Sequence, residues 1–158
     1  QPLKIEFRSI RITMEQNVVM LLGSGIFAAL AALFSIIAVA TPGWSGCHTG
    51  IFSCGKYYTA TGALLIISII MLTIIFLCIA MFFRGILSNT ADKIKIVVVL
   101  LLFLSGIFIV SGYSSPLHNK DVFSTIYSYH LAVAAGIFTY ISTILFTFYA
   151  GHTSVRNI

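Results

Sequence analysis

Four long stretches without a charged side chain divide this 158-residue sequence. They lie between Glu15 and Lys56, Lys56 and Arg84, Lys95 and Lys120, and Asp121 and Arg156. Each stretch has room for the roughly 20 apolar residues with which a helix crosses the hydrocarbon core of a bilayer. Only 8% of the residues are charged, whereas soluble domains average roughly 25%. We therefore predict an all-α membrane protein, a left-handed four-helix transmembrane bundle that forms a single domain, 1–158.

The predicted spans cover about 18–40, 59–83, 96–112 and 127–150, in up-down-up-down order. Two outer loops (41–58 and 113–126) and one inner loop (84–95) connect them. Residues 1–16 alternate between apolar and polar side chains, which is typical of a strand. The same apolar residues also share one helical face, and an amphipathic helix on the inner leaflet is favoured because no partner strand is evident. A solvated tail is the third alternative.

Basic residues indicate how the chain is oriented in the membrane. Seven of the nine lie on one side if four spans are crossed, and only Lys56 and Lys120 lie on the other. The positive-inside rule then places both termini and the inner loop in the cytosol. We predict a multi-pass protein of the plasma membrane. The net charge of +5 follows from this topology and does not indicate nucleic acid as a partner.

The first outer loop begins near Trp44, at a position where an indole favours the membrane–water boundary, and contains two cysteines, Cys47 and Cys54, on the side where a disulfide persists. Six residues separate the two cysteines, and a chain reversal at His48–Gly50 would let them form a disulfide that staples this short loop. Metal binding is the alternative, with His48 beside Cys47. Two cysteines and one histidine leave a tetrahedral site incomplete, so we predict the disulfide and no metal.

The sequence contains no recognisable catalytic constellation. Its four carboxylates all fall outside the predicted spans, although intramembrane ionisable groups usually mark proton relays or ion paths. His130, near the outer end of the fourth span, has no acidic or cysteine partner three or four residues away. Cys78, within the second span, is typical of a small buried apolar residue. We predict a non-enzymatic protein without a cofactor.

Small residues four apart indicate where helices could approach closely. Gly25 and Ala29 have this spacing in the first span, and Ala132 and Gly136 have it in the fourth. In lipid, such residues allow tight backbone packing. They serve either the chain's own four helices or contact with a partner, and the sequence leaves both possibilities open.

Four segments of the sequence carry a family resemblance. The first span contains Val18-Val19-Met20-Leu21-Leu22, Gly25-Ile26-Phe27-Ala28-Ala29 and Ile37-Ala38-Val39-Ala40-Thr41, and it leads into Thr41-Pro42-Gly43-Trp44. Thr49-Gly50-Ile51-Phe52-Ser53-Cys54 surrounds the second cysteine, and Asp121-Val122-Phe123 and Tyr127-Ser128-Tyr129-His130 lead into the fourth span. These segments resemble the claudin superfamily, and most closely the stargazin-type proteins, which are calcium-channel γ subunits and glutamate-receptor regulatory proteins. In chain order they are similar to the first span of stargazin-type proteins, to the claudin junction between first span and outer loop, to the claudin strand around the second cysteine, and to the γ-subunit segment that precedes the last helix.

The resemblance has one clear departure. The family has an outer segment of about fifty residues with a small sheet, whereas about 18 residues separate the first two spans here. Trp44 is the single tryptophan, and two alignments with the family pattern are open. Either Trp44-Ser45-Gly46-Cys47 stands for the Trp-x-x-Cys part, or Trp44 is the earlier tryptophan and Gly50-Ile51-Phe52 is a shifted form of the family's Gly-Leu-Trp. Claudins build barriers from the missing sheet. The resemblance therefore implies an auxiliary or trafficking subunit of a channel or receptor, and the alternative is a self-associating junction or membrane-organising tetraspan.

Overall fold

The computed structural model describes residues 2–42, 44, 51–53, 56–85, 91–114 and 127–155. The regular structure in these ranges is helical: α1 (Pro2–Ala40), a short 3₁₀ helix (Ile51–Ser53), α2 (Lys56–Phe83), α3 (Ala91–Ser114) and α4 (Tyr127–Val155). Each long helix contains a stretch long and apolar enough to cross a membrane, namely Gln16–Ala40, Tyr58–Phe83, Asp92–Ser114 and Tyr127–Thr153. The prediction of an all-helical chain with four potential spans is confirmed at this level.

The ends of the helices follow from local chemistry. Pro2 opens α1, where its missing N–H would have no helical partner in any case. The helix continues from there into the first span, so 2–16 is helical. Pro42 has no N–H and cannot prolong α1, and the Thr41 N–H and hydroxyl both donate to the Ile37 carbonyl, at 3.0 and 2.7 Å. Gly85 ends α2 with φ of +70°, a conformation that glycine adopts without a steric cost.

The four helices form an antiparallel ring in which α1 packs on α2 and α4, and α3 packs on α2 and α4. Two polar contacts fix the direction of α1 and α4, Ser24 with Ser142 and Thr41 with Ser128. The contact partner moves backwards along α4 as the chain advances along α1, so the two helices are antiparallel. The other neighbours run the same way, as shown by Trp44 with Tyr58, Gly112 with Leu65, and Lys95 with Tyr149.

Buried side chains recur along each helix at alternating intervals of three and four residues, and we call these four rows the seams. They are Leu21, Ser24, Ala28, Ala31, Ser35 and Ala38 in α1; Thr61, Leu65, Ser68, Leu72, Ile75 and Ile79 in α2; Lys95, Val98, Leu102, Ser105 and Ile109 in α3; and Ser128, Ala132, Ala135, Thr139, Ser142 and Phe146 in α4. Such a period of 3.5 residues is the pattern of a left-handed supercoil.

The seams differ in residue size. Alanine and serine dominate in α1, and alanine, serine and threonine dominate in α4, whereas α2 and α3 are richer in leucine, isoleucine and valine. Small residues let backbones approach closely in lipid, where packing and interhelical hydrogen bonds hold helices together. Accordingly α1 and α4 share the most extensive interface of the bundle.

Gly62 packs tightly against the 3₁₀ helix, where the buried Ile51 limits the space for a side chain. A Cβ there would lie 2.8 Å from Cε1 of Phe52 and 3.0 Å from Cγ2 of the fully buried Ile51. We expect Gly62→Ala to lower the free energy of unfolding by about 1–2 kcal/mol, because Ile51 has nowhere to move. Denaturation in mixed detergent micelles measures this. Gly151→Ala is the matched control, since a Cβ at that helical position meets nothing within 4 Å; equal losses in both variants would contradict the packing.

Candidate functional site

Most of the hydroxyl groups buried in the spans have a hydrogen-bond partner, whereas those of Ser35 and Thr61 have none among the described residues. The Ser24 and Ser142 hydroxyl oxygens lie 3.0 Å apart, and each is within hydrogen-bond distance of the other residue's carbonyl oxygen, at 3.1 and 2.9 Å. Both side chains are fully buried. No general base adjoins either hydroxyl among the described residues. The pair therefore links α1 to α4 as an interhelical hydrogen-bond clamp.

One charged residue of the predicted inner loop lies inside the bundle. Lys95 is buried within α3, with its ammonium 3.0 Å from Oδ1 of Asp92 and 6.0 Å from the centre of the Tyr149 ring. A carboxylate three residues earlier on the same helix and an aromatic face together compensate a buried cation. The arrangement anchors the beginning of α3 against α4.

The four small residues singled out in the sequence separate into two pairs. Ala132 is fully buried in the bundle, and a Cβ on Gly136 would lie 3.5 Å from Cγ2 of Ile109, so Gly136 packs α4 on α3. Gly25 and Ala29 instead line an outward-open groove of about 440 Å³ between α1 and α2. The first pair therefore serves the chain's own bundle, whereas in the second pair Gly25 is buried against α2 and the half-buried Ala29 is partly open to the surroundings.

The described part of the first outer loop places two of the family-motif residues. Trp44 is buried, its indole N–H donates to the Ala38 carbonyl at 2.7 Å, and its ring meets that of Tyr58 edge-on at 6.1 Å. The indole thus closes the end of α1, a role beyond the boundary position that the sequence indicated. Phe52 is exposed. The predicted disulfide cysteines Cys47 and Cys54, together with His48 and Gly50, lie outside the described residues.

The remaining reactive side chains lie apart. His130 is exposed at the beginning of α4, with its ring centre 5.7 Å from that of Tyr129, and Cys78 is a half-buried free thiol in α2. Among the described residues, no three histidine, cysteine, aspartate or glutamate side chains are close enough to share a metal ion.

Tyr140 is the residue that sequence reasoning missed. It sits at the centre of the span Tyr127–Thr153, about 20 Å from either end, yet 43% of its surface is exposed. Its ring covers Gly106 of α3, where a Cβ would come within 3.8 Å of the ring carbon Cζ. No hydrogen bond joins its hydroxyl to any residue that the structure describes. The sequence feature that could have identified Tyr140 is a phenol in the middle of a helix, between the apolar residues Ile137 and Ile144.

An outward apolar surface surrounds Tyr140, and we call it the α3–α4 face. It consists of Phe103, Ile107, Ile137, Tyr140, Ile144 and Phe148, all of them exposed. A polar hydroxyl near the middle of such a surface is costly in hydrocarbon unless it finds a partner. The geometry is that of a contact surface with one hydrogen-bonding group at its centre.

Comparisons with protein-family models, with curated proteins and with solved structures gave no match for the chain.

Proposed function

We propose that this protein is a non-enzymatic auxiliary or trafficking subunit that binds a larger channel or receptor in the plane of the membrane. The observation that carries the proposal is Tyr140, an exposed phenol at the centre of a span within the apolar α3–α4 face. A neighbouring transmembrane helix that accepts a hydrogen bond from this hydroxyl would remove the cost of exposing it to lipid chains.

The chemistry of the α3–α4 face suits a protein partner. Tyrosine is enriched among the few residues that dominate binding energies, since it combines a large rigid ring with a polar tip. Isoleucine and phenylalanine around it supply packing area, while Gly106 lets the Tyr140 ring lie close to α3. Packing and interhelical hydrogen bonds are the forces that associate helices in lipid.

Regulation of a partner requires more than affinity for it. An auxiliary subunit shifts a channel or receptor between conformations only when it binds those conformations with unequal affinity. A contact through one central hydroxyl meets this condition if the acceptor on the partner helix moves or rotates during gating. The proposed subunit would thus favour the conformation in which that acceptor faces Tyr140.

The proposal includes the finer features that the sequence suggests. They are a claudin-like arrangement of stargazin type, a disulfide between Cys47 and Cys54, cytosolic termini and residence in the plasma membrane. Support comes from the uneven distribution of basic residues, the short outer loop with its paired cysteines, and Trp44 at the end of the first span. The described bundle, an antiparallel ring of four helices, is compatible with these features.

Affinity purification of Tyr140→Phe tests the proposal. The substitution removes one hydroxyl and keeps the ring, so we expect a loss of about 1 kcal/mol, or about fivefold weaker partner binding. The tagged protein and the variant are recovered from native membranes in a gentle detergent, and the co-purifying subunits are quantified by mass spectrometry. Tyr127→Phe is the matched control, because Tyr127 is also exposed on α4 but lies at the end of the span.

The outcomes separate the candidate functions. A channel or receptor subunit that is recovered in fixed ratio, and whose recovery falls with Tyr140→Phe but not with Tyr127→Phe, supports the auxiliary role. If the two variants recover the same amount of the partner subunit, Tyr140 is not part of the interface. If only copies of the chain itself are recovered, the auxiliary role fails and the protein is an organising tetraspan.

A further inference from the structure

A groove open to lipid lies between α1 and α2, on the opposite side of the ring from the α3–α4 face. It occupies the half of the bundle nearer the end of α2, and its volume is about 440 Å³. Its walls include Leu22, Ile26 and Leu33 from α1, and Phe76 and Phe83 from α2. All five of these side chains are exposed, so the groove is an apolar surface that the bundle leaves uncovered.

Small residues create the groove. Gly25 brings the two helices together, because even a Cβ at that position would lie 3.2 Å from Cγ2 of Ile79. Ala29 on α1 and Ala80 on α2 then line the groove with side chains too short to fill it. The result is a recess between rows of longer apolar side chains.

One cation stands at the end of this apolar recess. Arg84 lines the groove directly after the last residue of α2, where its backbone N–H donates to the Ala80 carbonyl at 3.1 Å. Its side chain is exposed, and no carboxylate among the described residues pairs with it. Because α2 ends here, the guanidinium lies at the level where a span meets the polar headgroups. The groove thus combines a hydrocarbon-like interior with a positive end.

We propose that the α1–α2 groove binds an anionic phospholipid, with an acyl chain between the helices and the phosphate on Arg84. A guanidinium offers paired N–H donors that match phosphate oxygens, and basic pockets between membrane helices bind anionic headgroups. The ligand is amphiphilic in the same sense as the groove, apolar along its length and charged at one end. This site is independent of the proposed subunit contact, which uses the other side of the ring.

The charge at the end of the groove favours a lipid over a partner helix. From Leu22 to Leu33 the groove extends about 16 Å along α1, since each helical residue advances 1.5 Å. An acyl chain is apolar and flexible, so it can follow the exposed apolar side chains over this length, and the phosphate to which it is attached then lies at the level of Arg84.

Native mass spectrometry of the purified full-length protein tests this site, with phosphatidylglycerol and phosphatidylcholine supplied in equal amounts. The unaltered protein is expected to retain the anionic lipid about fivefold more than the zwitterionic one, and Arg84→Gln to abolish this preference. Lys93→Gln is the matched control, because Lys93 is an exposed cation on α3 that does not line the groove. Equal retention of the two lipids by the unaltered protein overturns the proposal, as does an equal loss of preference in both variants.

A second pair of variants tests the position of the acyl chain. Ala29→Phe fills the groove and is expected to reduce the retention of both lipids at least threefold. Ala63→Phe places the same ring on an exposed part of α2 outside the groove and is expected to have no effect. A photoactivatable group at position 26 should label a lipid chain in native membranes. Labelling of a second polypeptide there, or undiminished lipid retention by Ala29→Phe, overturns the assignment to lipid.

Discussion

Replacing Ser24 with leucine is expected to lower the free energy of unfolding by about 3 kcal/mol. The Ser24 side chain is fully buried, and its hydroxyl oxygen lies 3.0 Å from that of Ser142, which leaves no space for an isobutyl group. Overpacking costs about 1–3 kcal/mol and the lost interhelical hydrogen bonds cost about 1 kcal/mol more. The measurement is the folded fraction as a function of sodium dodecyl sulfate content in mixed micelles.

Two companion variants separate crowding from hydrogen bonding. Ser24→Ala removes only the hydroxyl and is expected to cost about 1 kcal/mol. Thr73→Leu is the matched control for added apolar bulk, because Thr73 is exposed on α2 and its hydroxyl donates to its own helix at Ile69; a change within about 0.5 kcal/mol is expected there. If Ser24→Leu is as stable as Thr73→Leu, the clamp does not hold α1 against α4.

Replacing Trp44 with alanine is expected to have a comparable effect at the outer end of the bundle, about 3 kcal/mol. The indole is buried, stacks edge-on with Tyr58 and donates to the Ala38 carbonyl at 2.7 Å, a group that the end of α1 leaves without a helical partner. Truncation removes all three interactions at once. The same micelle titration, together with the amount of protein at the cell surface, measures the loss.

The hydrogen bond and the ring of Trp44 can be tested separately. Trp44→Phe keeps an aromatic ring and removes the N–H, so about 1 kcal/mol is expected. Phe52→Ala provides the control in the same connecting segment. Because Phe52 is 56% exposed, removing its ring should lower the free energy of unfolding much less than removing the Trp44 ring. A Trp44→Ala protein as stable as Phe52→Ala would mean that the indole does not close the end of α1.

The absence of charge was enough to find the four helices, because a membrane span is recognised as a long apolar run without charged side chains. It could not reveal which side of each helix faces inward. In a helix that is apolar all round, the inward side is marked by size and by hydroxyl groups rather than by polarity. In α1 the inward side is marked by Ser24, Ala28 and Ala31. Gly25 and Ala29, the pair singled out in the sequence, each lie one position after a residue of this inward row. This shift is why that pair lines an outer groove.

Residues with two possible environments were the hardest to place. Tryptophan is common at membrane boundaries, so the sequence suggested an interfacial position for Trp44, whereas the structure buries the ring beneath the end of α1. Tyr140 drew no attention because one phenol in a long apolar run is compatible with either a core or a surface position. Its exposure depends on how α4 rotates against α3, which only the packed bundle determines. The α3–α4 face was therefore inaccessible to sequence reasoning.

The clamp between Ser24 and Ser142 also sets the order in which the protein can mature. It joins the first span to the last, 118 positions apart in the chain. Since a ribosome delivers α1 long before α4, the early helix must remain in the bilayer with its seam of alanine and serine uncovered until synthesis is nearly finished. A chain interrupted after α3 would retain that defect permanently. Quality-control factors that inspect membrane helices for exposed polar groups would thus distinguish finished from unfinished copies at a single surface.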